Sequence, residues 1–216
     1  MSGAPFELVI FDNDGVLVDS EGHAQFVTAA LLTRCGLPMT PADCRANFLG
    51  RSQSDIRAWS ERRLGRPLPA HFEADFHMEL FARFRRALAP VPGVADVLDR
   101  LGNVCVASSS THERIRVSLE ATGLLARFGD RIFSAEDVSR GKPAPDLFVH
   151  AARACGAPPA RCVVIEDSAT GVDAANAAGM TVFGFARVTP AAELVHATGV
   201  FTSMRELPAL LGCAPR

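Results

Sequence analysis

The chain reads as an α/β protein, a doubly wound parallel sheet with a helical domain inserted near its start. Three observations predict this. The apolar run Leu8-Val9-Ile10 empties into Phe11-Asp12-Asn13-Asp14-Gly15, as a strand buried on both faces does where it ends in a turn. From Pro92 onward, helical and strand-like stretches alternate with Gly or Pro between them, the rhythm of βαβ units. Between residues 20 and 89 that rhythm stops, and only helical patterns remain, punctuated by Gly36, Thr40-Pro41, Gly50 and Gly65.

Taken in order, Phe6 to Val18 forms the first strand and its loop. There follow a helix near Gly93 to Leu101, a strand at Asn103 to Ala107, a helix at Glu113 to Ala121 and a strand at Arg131 to Ser134. A helix at Asp146 to Cys155, a strand at Cys162 to Ile165, a helix at Gly171 to Ala178 and a strand at Thr181 to Phe185 complete the pattern. Thr111 is an expected helix N-cap, and Gly102, Gly123, Gly156 and Gly179 stand where helix C-caps are expected. The expected organisation is an α/β core of residues 1–19 and 90–216 with a helical domain at 20–89. Asp19-Ser20 and the stiff Ala89-Pro90-Val91-Pro92-Gly93 are the candidate hinges.

At 216 residues there is room for one well-buried core and a small second domain. Hydrophobic content of 48% and charged content of 21% are ordinary for a globular protein. A net charge of -2 gives no electrostatic footprint for nucleic acid. No run is apolar enough to span a bilayer and no basic segment leads into a long apolar one, so a cytoplasmic protein is expected. None of the six cysteines forms a C-x-x-C pair and two lie in expected strands, which reads as reduced thiols. The helical domain carries ten arginines against seven acidic residues between Ser20 and Leu88, a mildly basic element beside an acidic core that would favour an anionic substrate; a solvated arginine face explains the excess nearly as well.

Four polar clusters fall at strand ends or in loops: Asp12 and Asp14, Ser108-Ser109-Ser110, Lys142 in Arg140-Gly141-Lys142-Pro143, and Glu166-Asp167. Two carboxylates one residue apart, at the end of a parallel strand, repel one another unless a cation or substrate uses them, although a turn rich in Asp, Asn and Gly is the plainer account of that pentapeptide alone. Lys142 is the single lysine in a chain whose 22 basic residues are otherwise arginine. A loop position that keeps the one lysine calls for a compact ammonium rather than a planar fork. Together, two carboxylate sites, a hydroxyl site and an ammonium are what phosphoryl transfer with Mg²⁺ requires.

These stretches, FDNDGVLVDSE, VASSS, GKPAPD and IEDSATG in that order, resemble the haloacid dehalogenase superfamily of aspartate-nucleophile phosphohydrolases. DNDGVLVDSE, HAARACG and AAGMTVFGF look most like its sugar-phosphatase group, which includes 6-phosphogluconate phosphatases and the neighbouring β-phosphoglucomutases. The resemblance implies Asp12 as nucleophile, Asp14 as general acid/base and Lys142 as the cation that neutralises Asp12 and the phosphoryl group. It implies Ser108, with Ser109, as phosphate-binding and Asp12, the Asp14 carbonyl and Asp167 as Mg²⁺ ligands, with Glu166 either a further ligand or a partner to one. The helical insert matches the cap of one branch, and Arg51 its loop facing the active site, with a surface arginine the equal alternative. His23 stands one residue from a histidine position of many relatives, and His112 is read as a helix-start residue. Asp173 is read as a first-turn helix charge.

The expected activity is hydrolysis of a small phosphorylated metabolite, a sugar phosphate or sugar-acid phosphate, through an aspartyl phosphate. A mutase-like phosphotransferase is the nearest alternative, and a phospho-accepting receiver-like module the alternative of another class. The insert of about seventy residues argues against a receiver, because excluding water from an acyl phosphate needs a lid and a receiver does not. No lysine lies between Ser20 and Leu88, which excludes the Schiff base that phosphonoacetaldehyde hydrolases form from their cap.

Overall fold

A computed structural model describes residues 6–48 and 52–212. The chain begins with β1 (Leu8–Phe11) and passes into four helices, α1 (Glu21–Arg34), α2 (Pro41–Phe48), α3 (Gln53–Leu64) and α4 (Phe72–Ala87). It continues through α5 (Val94–Leu98), β2 (Val104–Ser108), α6 (His112–Ala121), α7 (Leu125–Phe128) and β3 (Ile132–Ser134). Then come α8 (Asp146–Ala154), β4 (Cys162–Glu166), α9 (Ala169–Ala177), β5 (Thr181–Phe185), β6 (Gly199–Phe201) and α10 (Leu207–Leu210).

All the pairings within the six-stranded sheet are parallel, in the order β3-β2-β1-β4-β5-β6. The order reverses between β1 and β4, the place where an open α/β sheet opens a ligand crevice at the carboxyl ends of its strands. β1, β2 and β4 are apolar up to the Ser108 and Glu166 that end the latter two, because both faces are covered. Leu8 and Ile10 of β1, Cys105 and Ala107 of β2, and Cys162 and Val164 of β4 alternate onto one face and pack with Leu147, Phe148 and Ala151 of α8 and Val172 and Ala175 of α9. Val9, Phe11, Val106, Val163 and Ile165 point the other way and are buried as well.

The chain divides into two compact units, 1–19 with 89–216, and 20–88. In the helical unit, α4 buries Phe72, Phe76, Leu80 and Phe84 at a spacing of four, a single apolar stripe. A capping box starts α3: the Ser52 hydroxyl accepts from the Asp55 backbone N–H and the Asp55 carboxylate accepts from that of Ser52. In the α/β unit, the two segments flanking the insert run side by side. Asp19 N–H donates to Ala89 O at 3.0 Å and Val91 N–H to Leu17 O at 2.9 Å.

Several local expectations need correction. Gly123, Gly156 and Gly179 have the positive φ of residues just past a helix end, but Gly102 does not, because α5 stops at Leu98 and closes on Asp99. Asp173 lies in the middle of α9 rather than in its first turn, and its Oδ1 is 2.9 Å from His196 Nδ1. Edge strand β6 and the four-residue helices α7 and α10 carry too few residues to display a period, so only tertiary pairing reveals them. Cys35, Cys44, Cys105, Cys155 and Cys162 are free thiols, and Cys213 lies outside the described residues.

Candidate active site

Asp12 is the first residue beyond β1, and its backbone N–H donates to Ile165 O of β4 at 3.0 Å. Parallel register places Phe11 opposite Ile165, so Asp12 and Glu166, the last residue of β4, emerge side by side at the switch point. Between them stands Lys142. Its Nζ donates to Asp12 Oδ1 and Glu166 Oε1, each at 2.7 Å, and to Ala107 O of β2 at 3.1 Å. Nζ also lies 4.8 Å from the centroid of the Phe148 ring. One ammonium thus ties three adjacent strands together from a side chain only 3% exposed.

The electrostatics follow from this burial. Loss of water pushes the Asp12 carboxyl up to about 7; Lys142 pulls it down and the neighbouring Glu166 pushes it up. Burial also works against the Lys142 charge, but Asp12 and Glu166 together outweigh it and hold the ammonium above the ordinary lysine range. Glu166, 1% exposed, is fixed from its other side by the Ser168 backbone N–H at 2.8 Å and Ser168 hydroxyl at 2.9 Å. The Ser168 hydroxyl in turn caps α9 by accepting from Gly171 N–H at 3.1 Å.

Asp14 Oδ1 accepts from Arg114 Nη2 and Oδ2 from the Ser110 hydroxyl, both at 2.8 Å. Ser108 ends β2, is buried, and accepts from Ser110 N–H at 3.2 Å; Ser109 is exposed. Asp167 is half-buried. Gly15 has φ +83°, and a Cβ there would overlap Asp167 Oδ2, so the glycine lets that carboxylate lie against the turn after β1. Asp12, Asp14, Ser108, Lys142, Glu166 and Asp167 therefore gather around the ends of β1, β2 and β4. Arg51 lies outside the described residues. His23 packs edge-on against Phe84 inside the helical unit, and His112 opens α6 with its Nε2 2.8 Å from Asp137 Oδ1.

Sequence reasoning missed Arg114, and it named Ser110 within the serine cluster without giving it a role. The signal was present in Thr111: once it is placed as the N-cap of α6, Arg114 falls in the first turn, directly above the β1 loop.

Residues 6–179 match the haloacid dehalogenase-like hydrolases, and the chain belongs to that family. The 6-phosphogluconate phosphatase of Escherichia coli (strain K12) is 30% identical over 208 residues, covering 94% of each chain. A conserved haloacid dehalogenase-like protein of unknown function from Agrobacterium tumefaciens superposes with a TM-score of 0.83 at 37% identity, covering 96% of this chain and 98% of its own. A family hydrolase from Deinococcus radiodurans, crystallised with bound phosphate and sodium, gives 0.80 at 33% identity over 97% and 96%. Within its family this chain is a phosphatase.

Proposed function

We propose that this protein is a Mg²⁺-dependent phosphatase of a sugar phosphate or sugar-acid phosphate, acting through an aspartyl phosphate on Asp12. The observation that carries the reading is the Lys142 ammonium held between Asp12 and Glu166 at the switch point of the sheet. The substrate class rests on the Escherichia coli 6-phosphogluconate phosphatase, similar over nearly the whole chain.

The steps belong to the chain's own groups. Asp12 Oδ attacks phosphorus while the bond to the leaving oxygen breaks, and Asp14 supplies the proton that oxygen takes up. Water then attacks the phosphorus, the electron pair of the breaking bond returns to Asp12, and Asp14 takes the water's proton. Lys142 offsets charge on Asp12 and the phosphoryl oxygens, while Ser108 and Ser109 hold those oxygens beside the N-terminus of α6. The helical unit is read as the cap that keeps water from the acyl phosphate, with Asp19-Ser20 and Ala89–Gly93 as its hinge. Its net positive charge favours an anionic substrate.

Charge balance supports the metal. A phosphoryl group that approaches Asp12, Asp14, Glu166 and Asp167 meets four carboxyl groups with Lys142 and Arg114 as the cations beside them. Among the described residues no group of three or more His, Cys, Asp or Glu side chains is arranged to hold a metal ion. Mg²⁺ does not require one, because one or two carboxylates with a carbonyl, waters and substrate oxygens complete its octahedron. Asp12, the Asp14 carbonyl and Asp167 are hard oxygen donors of that kind, and bound Mg²⁺ would neutralise charge developing on the phosphoryl oxygens.

The test is phosphate release from a panel of sugar and sugar-acid phosphates, 6-phosphogluconate included. One inorganic phosphate is expected for each substrate consumed. Conversion of β-glucose 1-phosphate to glucose 6-phosphate with catalytic β-glucose 1,6-bisphosphate, without stoichiometric phosphate release, would replace this reading with a mutase.

A further inference from the structure

We propose that Arg114 is a positioning residue that holds the Asp14 carboxylate for the step in which water discharges the phosphorylated enzyme. The proposal rests on reading Asp14 as the acid/base of the phosphatase. It starts from the way α6 grips the loop after β1. The Thr111 hydroxyl accepts from Arg114 N–H at 3.3 Å, which fixes the backbone of Arg114 in the first turn of the helix. From there Nη2 reaches Asp14 Oδ1 at 2.8 Å. Ser118 lies four residues on, on the same face of α6, and its hydroxyl accepts from Asn13 Nδ2 at 3.1 Å. One helix face therefore holds two successive residues of the loop.

The other Asp14 oxygen is fixed as well. Oδ2 accepts from the Ser110 hydroxyl at 2.8 Å and from Asn13 Nδ2 at 3.4 Å. The Ser110 carbonyl is itself anchored, accepting from the Ser134 hydroxyl of β3 at 2.7 Å. The carboxylate thus has donors on both oxygens, from α6 and from the loop that precedes it, in a site where Arg114 and Asp14 side chains are only 17% and 21% exposed. Arg114 Nε is buried with no hydrogen-bond partner in the structure, so the guanidinium does not owe its place to a bond from that atom.

The consequence is specific to one half of the reaction. In the second step the oxygen of water forms a bond to phosphorus, the bond from phosphorus to Asp12 breaks with its electron pair returning to that carboxylate, and the water proton passes to Asp14. The rate then depends on where the Asp14 oxygens lie, and a displacement of about 1 Å is worth roughly 100-fold. With para-nitrophenyl phosphate the first step needs no proton, because nitrophenolate leaves as the anion, so it runs with Asp14 already the carboxylate that Arg114 holds, and that carboxylate takes the proton of water in the second step.

Rapid mixing of Arg114→Gln with para-nitrophenyl phosphate and Mg²⁺ should give a burst of about one nitrophenolate per enzyme, followed by a steady state about 10- to 100-fold slower than wild type. Acid-quenched samples should contain protein-bound phosphate, and the steady-state KM should fall together with kcat. Arg114→Lys, which keeps a donor on the same side, should recover part of the steady rate, and Ser110→Ala should give a weaker form of the same burst. Equal slowing of both phases without a burst in folded Arg114→Gln would make the ion pair merely structural. An unchanged or faster steady state would also overturn the proposal. A wild-type enzyme that releases no phosphate would instead bring down the phosphatase reading itself, and an Asp12→Asn enzyme that keeps a tenth of the wild-type rate would bring down the aspartyl phosphate on Asp12.

Discussion

Lys142 shows how much a single side chain can be asked to do. Its ammonium is shared by two buried carboxylates and a backbone carbonyl, with an aromatic ring beside the same nitrogen. Arginine carries the same charge but spreads it over a planar fork that cannot sit at 2.7 Å from Asp12 and Glu166 at once without moving one of them. Lys142→Arg should therefore lower kcat by about 100-fold or more while the melting temperature falls as well; near-normal kinetics would mark the lone lysine as coincidence. Asp12→Asn is nearly isosteric and lies outside the strand, so its circular dichroism should match wild type. Its turnover should fall on the order of 1,000-fold or more, and a variant retaining a tenth of the activity would remove Asp12 as the nucleophile.

At the level of elements, the junction of β4 and α9 joins stability to the site. Glu166 ends the strand, Ser168 caps the helix while bonding Glu166, and Gly171 in the first turn leaves the space that the Glu166 carboxylate fills. A Cβ at Gly171 would overlap Glu166 Oε1, the atom that receives Lys142. Gly171→Ala raises helix propensity, yet here overpacking outweighs that gain of about 1 kcal/mol or less. The variant should lose about 1–3 kcal/mol, a drop of roughly 2–12 °C in Tm for a chain of this size, and its kcat should fall with it. A thermal melt and a steady-state assay on the same sample check both. A variant as stable and as active as wild type would mean that Glu166 moves freely, contrary to the tight packing around it.

For the whole molecule, two compact units are joined by segments that hydrogen-bond to one another within the α/β unit. Arg187 of the loop after β5 adds a bidentate pair to Asp19, the last residue before the insert, with Nη2 and Nη1 at 2.6 and 3.2 Å from its two oxygens. No helix among the described residues is long and apolar enough to cross a membrane. The proposed metal is a property of the assembled core, since its donors come from residues that only the sheet brings together. Treatment with EDTA should abolish phosphate release, and Mg²⁺ in excess should restore it. Full activity in EDTA would reject the metal, and with it the charge balance argued for the site.

What the sequence determined by itself was whatever depends on local pattern. The apolar runs and their alternation with helices specify a parallel sheet, and the loss of that alternation between Ser20 and Leu88 specifies the insert. Three of the four polar clusters lie at strand ends and Lys142 lies in the loop before α8, so their residue types were legible before any contact was known. Three-residue β6 and four-residue α7 and α10 fall below the length at which a period can be read. The exchange of Gly102 for Asp99 at the end of α5 shows that helix ends are set by packing as much as by composition. Only the tertiary structure could decide that Lys142 touches Glu166 as well as Asp12, or that Arg114, a hundred residues away, holds Asp14. Such pairs arise where parallel register aligns the ends of separate strands, and sequence spacing carries no record of that alignment.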